Sequence, residues 1–156
     1  MDIIKQGGDP QVGNLATPIN SSRLSLAFIR NLPAYRQGLS AHRRGLEVGM
    51  AHGYFLYGPF AILGPLRHTE YASTAGLLSA VAIISILTIA LSLYASVDVN
   101  KPIATLTTPD VPEAFATSLG WGEFANGFFM GGCGGVVFAS LLCKILSIDL
   151  ISTILG

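Results

Sequence analysis

The sequence predicts an all-α membrane protein: three transmembrane helices preceded by a short amphipathic surface helix. Three observations carry that expectation. Of the 156 residues, 51% are hydrophobic and only 12% are charged, about half the charge that water-facing proteins carry. Three apolar runs are each long enough to cross a hydrocarbon core ~30 Å thick. Lys and Arg gather on one side of those runs instead of spreading along the chain. The formal net charge is +0, which gives no overall pull toward nucleic acid, and no nucleic-acid partner is expected.

Residues 1–44 are polar and hold Lys5, Arg23, Arg30, Arg36, Arg43 and Arg44. No apolar stretch follows a basic start, so no cleaved signal is expected and insertion rests on the internal helices. Within this segment, Leu24 to Leu32 predicts a short amphipathic helix with Leu24, Phe28 and Ile29 turned one way, suited to a membrane surface. Pro33 ends it.

The first span is expected at 45–66. It carries Glu47, His52 and Pro59, and Gly64-Pro65 closes it. Pro59 removes one backbone donor, a loss that a helix bundle tolerates. After the polar turn RHTEYAST, residues 75–97 form the second span, with no charge and only Ser, Thr and Tyr as polar groups. A soluble helix of that length would show a polar face. Residues 98–122 contain Pro102, Pro109 and Pro112 and read as a loop. The third span is expected at 124–148, with Lys144 near its end, and 149–156 as a tail.

Orientation follows from charge. Three spans put residues 1–44 and the 98–122 loop on one side, with Lys101 added to the six earlier cations. Arg67 and the head of Lys144 lie opposite. The excess of Lys and Arg marks the cytoplasmic side, so the N-terminus is expected there. Cys133 and Cys143 lie ~15 Å apart along one helix axis, too far to bridge.

Small residues recur every fourth position: Gly45, Gly49 and Gly53 in the first span; Gly127, Gly131, Gly135, Ala139 and Cys143 in the third. A weaker stripe, Gly76, Ala80, Thr88, Ser92 and Ser96, runs along the second. Such ladders let another backbone or a flat cofactor approach closely. The spacing alone does not choose between helix–helix packing and a cofactor.

Glu47 and His52 are the ionisable residues placed within the first span, and such residues are candidates for function. Five positions apart on a helix, they point ~140° apart and differ by ~7.5 Å in depth. They cannot share one small ion, which wants residues three or four apart. Each serves its own partner. One reading is structural: His52 hydrogen-bonded to a neighbouring helix, and Glu47 paired with Arg43 or Arg44. The other is two separate axial ligands, a nitrogen and a carboxylate oxygen, for two magnesium ions held in chlorophyll. His42 and His68 read as interfacial or surface histidines. A small transporter or proton relay using Glu47 and His52 is the alternative function, although the second span has no ionisable group to extend such a relay. No nucleophile–base pair argues for an enzyme.

The stretches NLPAYRQGL at 31–39, RRGLEVGMAHGYFLYGPF at 43–60 and LGPLR at 63–67 resemble the photosystem I reaction-centre subunit XI family of cyanobacteria, as do GW at 120–121 and the glycine-rich third helix. The resemblance covers most of the chain. It implies a non-catalytic photosynthetic subunit of the thylakoid membrane, with a stromal N-terminus and a lumenal C-terminus. It implies chlorophyll a and β-carotene as cofactors, with Glu47 and His52 as axial ligands of two chlorophyll magnesium ions, and bound lipid. The implied partners are the large and small photosystem I subunits and copies of the chain itself in neighbouring monomers, joined as trimers or other oligomers. It also implies a calcium site at the oligomer contact, built on the Pro65 carbonyl and an Asp. His68 stands at the Asp position, with Glu70 two residues on. Imidazole is a poor calcium ligand, which weakens that part of the expectation.

Overall fold

A computed structural model describes residues 4–6, 15–97, 99–105 and 107–155. Four α-helices dominate the described residues: α1 at Arg23–Asn31, α2 at Ala41–Leu63, α3 at Ala72–Ala95 and α4 at Ser118–Leu155. A single turn of 3-10 helix, Glu113–Ala116, precedes α4. Beside the expected all-helical architecture stands one small ladder, in which β1 (Lys5–Gln6) pairs antiparallel with β2 (Leu15–Ala16). Two residues per strand leave no alternating pattern for sequence reading to detect.

The short helix forms within a residue of its expected limits. The Ser22 side chain accepts from the Ser25 N–H at 3.1 Å, as an N-cap should, and the Leu32 N–H returns to the Ile29 carbonyl before Pro33. None of its residues is buried, and Leu24 and Phe28 stand 82% and 66% exposed. Gly38 then adopts φ 79°, a left-handed turn open to glycine at no steric cost, and Ser40 caps α2 by accepting from the Arg43 N–H.

The helices at the expected spans differ from them at their ends. The first starts at Ala41 instead of 45, because Ser40 provides the cap, and ends at Leu63 against Gly64-Pro65. The helix at the third starts at Ser118 instead of 124 and runs on through Leu155, so 118–122 and most of 149–156 are helical. By length and apolarity, α3 and residues Ser118–Leu146 of α4 are able to cross a membrane. α2 is long enough but less apolar, since Arg43, Arg44 and Glu47 fall in its first two turns.

α2 and α4 run parallel, with α3 antiparallel to both. Gly45, Gly49 and Gly53 meet Phe124, Phe128 and Gly132 in ascending order, whereas Gly76 of α3 meets Ala61 near the end of α2. The core lies between the three: Tyr57, Ala80, Ile84, Phe124, Phe128 and Val136 are buried. At the end where α2 and α4 begin, Phe115, Trp121, Phe124 and Tyr94 form an aromatic cluster, and Trp121 Nε1–H donates to the Phe115 carbonyl at 3.0 Å. The outward faces remain apolar, with Phe55, Leu78, Ile89, Leu93 and Phe138 all exposed. Such surface is stable against lipid or other subunits, not against water.

Candidate functional site

The glycine ladders form the most extensive contact in the molecule, the seam between α2 and α4. A Cβ at Gly45, Gly49 or Gly53 would come closer than 3.0 Å to the carbonyl oxygens of Phe124, Phe128 and Gly132; one at Gly127, Gly131 or Gly135 would do the same to those of His42, Leu46 and Met50. The interlock is reciprocal. Glycine is required here because the partner is backbone and has no rotamer to change. From Gly45 to Gly53 and from Gly127 to Gly135 the ladders therefore serve helix packing; Ala139 beyond them is buried and Cys143 is exposed. Gly134 does not pack this way: a Cβ there would meet nothing within 4 Å. On α3 the stripe divides. Gly76 and Ala80 are buried, while Thr88 and Ser92 turn their hydroxyls back to the carbonyls four residues earlier.

Beside the seam runs an apolar groove of about 640 Å³, lined by Glu47, Met50 and Tyr54 of α2 and by Met130, Gly134 and Phe138 of α4. Gly134 widens its floor. Glu47 is the acidic group on its wall, and its side chain is 25% exposed. Arg36 Nη2 donates to both carboxylate oxygens, at 2.6 and 2.5 Å. Arg43, one turn back, places Nε 3.4 Å from Oε1, as the spacing of four anticipated. Arg44 does not join them. It is 3% exposed, and its Nη1 donates to the carbonyls of Pro33 and Ala34 at 3.0 and 3.1 Å. Those two carbonyls replace part of the water that burial takes from the guanidinium; among the described residues its Nε has no hydrogen-bond partner.

His52 does not line the groove. Its ring packs edge-on against Phe128 of α4, with centroids 5.5 Å apart. Its Nδ1 lies 2.8 Å from the Val48 carbonyl of its own helix, so the hydrogen bond expected to a neighbouring helix goes to the preceding turn instead. A carbonyl can only accept, so Nδ1 carries a proton, and in the neutral ring the lone pair is then on Nε2. His52 is exposed, and among the described residues Nε2 has no hydrogen-bond partner. The structure thus keeps Glu47 and His52 apart.

Pro65, His68 and Glu70 lie at the other end of the molecule, in the exposed turn joining α2 to α3. Among the described residues, no three His, Cys, Asp or Glu side chains are grouped to hold a metal ion. Sequence reading missed Arg36 as a partner of Glu47, because eleven residues and a turn separate them. The available signal was the carboxylate itself, which needs more compensation than a surface-exposed Arg43 provides.

The model of the family described as Photosystem I reaction centre subunit XI matches residues 2–148. The chain belongs to the photosystem I reaction centre subunit XI family. It is 83% identical over 156 residues to the subunit XI of Crocosphaera subtropica, with both chains covered in full. It is 66% identical over 143 residues to that of a Picosynechococcus strain, covering 92% of this chain and 94% of the relative. Synechococcus elongatus has a subunit XI 56% identical over 145 residues, covering 92% and 87%. Membership of subunit XI makes this a photosystem I component of photosynthesis, associated with other photosystem I subunits in the thylakoid membrane.

Proposed function

We propose that this subunit XI spans the thylakoid membrane three times, holds chlorophyll on two different faces of α2, and joins photosystem I monomers to one another. α2 counts as the first span. Its 23 residues extend about 34 Å at 1.5 Å each, and its charges lie near one end, where they cost least. The parallel course of α2 and α4 brings the basic residues of both preceding segments to one end, which the positive-inside rule makes stromal. The C-terminus is then lumenal. Leu24 and Phe28 of α1, flanked by Arg23 and Arg30, suit a helix lying on that stromal surface.

The observation that carries the pigment reading is His52. Its Nδ1–H is committed to Val48, which fixes the ring and leaves Nε2, on an exposed side chain, as the lone-pair donor. This is how ligating histidines are usually oriented by a second bond. Glu47 suits a second magnesium: its side chain lines a groove in which Gly134 leaves room for a flat ring, and Arg36 and Arg43 compensate its charge. Chlorophyll a, when bound, supplies light absorption and energy transfer to the core. The chain's own part is to place the donors, hold them at separate depths and exclude water. β-Carotene and lipid suit the exposed apolar faces. The subunit performs no catalysis in this reading. Calcium is left out, because His68 offers nitrogen where calcium takes oxygen. The relay alternative is weaker, since Glu47 lines the groove and His52 does not.

Replacing His52 with Leu in the intact photosystem I complex is expected to remove one chlorophyll per subunit. Pigment extraction and quantitation after purification measure it. Unchanged stoichiometry together with an unchanged absorption spectrum would overturn the ligand role.

A further inference from the structure

We infer that Arg36 is the positioning residue for Glu47, and that Arg44 is the anchor that delivers it. The inference rests on Glu47 being a chlorophyll donor and adds what holds that donor in place. Arg36 lies in the segment between α1 and α2, not on the helix that carries Glu47. A guanidinium reaching across from such a segment holds a carboxylate only if the segment itself is fixed. Arg44 fixes it. Its buried Nη1 donates to the carbonyls of Pro33 and Ala34, three and two residues before Arg36. Gly38, at φ 79°, turns the chain back toward α2.

One nitrogen of Arg36 bonds both carboxylate oxygens. Holding both oxygens at once restricts rotation about the carboxylate's last bond. Each oxygen accepts from Arg36 on one side and keeps lone-pair capacity on the other. Charge acts in the same direction. A carboxylate without compensation beside an apolar groove is costly to desolvate. Arg43 contributes little, because its side chain is 69% exposed and its Nε is 3.4 Å away. Arg36 is half as exposed, at 37%, and makes both short bonds.

The test uses the photosystem I complex purified from cells carrying one altered subunit XI. Glu47→Gln serves as the reference and is expected to lose one chlorophyll per subunit. Arg36→Gln is expected to lose the same pigment, so that its difference spectrum against the parent overlays that of Glu47→Gln and not that of His52→Leu. Arg36→Lys keeps the charge and is expected to retain most of the pigment. Arg36→Gln with full pigment, or with the His52-type spectrum, would overturn the inference. Should Glu47→Gln itself keep its pigment, the donor reading of Glu47 fails first, and the two failures are thereby distinguished. Should Arg36→Gln not accumulate, the double variant Arg36→Gln/Glu47→Gln, which removes both charges, is expected to restore assembly without the pigment. A double variant that accumulates no better than the single one would overturn the charge argument.

Discussion

α4 is held on two sides by different means. Toward α2 it presents glycines, and the two backbones interlock through six reciprocal close approaches to carbonyl oxygens. Toward α3 it presents side-chain packing, with Ile84, 0% exposed, seated over Gly132. Both contacts join apolar helices, and in lipid neither gains much from the hydrophobic effect. The seam draws on close van der Waals contact and on a geometry suited to Cα–H···O=C contacts, each worth about 0.5–1 kcal/mol. It tolerates no added atom. The α3 contact draws on the shape of branched side chains, which adjust in part when one is trimmed. The difference separates a joint that is all-or-none from one that is graded.

Three substitutions probe that difference. The largest effect is expected from Gly131→Leu, which drives a side chain into the Leu46 backbone. Subunit XI should fail to accumulate in purified photosystem I; a normal yield would show that the seam can yield. Ile84→Ala comes next. Loss of a fully buried branched side chain costs about 2–5 kcal/mol, so the subunit should assemble but dissociate at lower temperature in a detergent melting series. Gly134→Ala should have the smallest effect on stability, within about 0.5 kcal/mol, since the added methyl meets nothing within 4 Å. It projects into the groove, and in the proposed reading the spectrum shifts while the melting temperature holds.

Much of the fold was legible because its determinants are periodic. Glycine every fourth residue marks a close-packed helix face in the sequence itself, and α2 and α4 use theirs as that period implies. The ends of α4 were not legible. Glu123 and the glycines around Trp121 interrupt the apolar run, yet Gly120 abuts Ala114 and the Trp121 indole bonds Phe115, so the helix starts early. Of the candidate site, the separation of Glu47 from His52 followed from helical geometry alone. The bond from His52 to Val48 and the grip of Arg36 on Glu47 did not. The first depends on a ring rotamer. The second depends on how the 32–40 segment folds back, which Arg44 and Gly38 decide together.

The parallel seam has a consequence for the order of synthesis. α2 and α4 are closest neighbours, yet roughly 80 residues of chain separate Gly45 from Gly127, so at about 5–20 residues per second α2 waits on the order of 4–16 s for its partner. During that interval its glycine face is uncovered, and the company the chain itself supplies is α3. The Tyr57–Ser73 hydrogen bond at 3.0 Å and the seating of Gly76 on Ala61 are among the contacts open to this early hairpin. Of the three long helices, the one bearing Glu47 and His52 is thus made first and completed last.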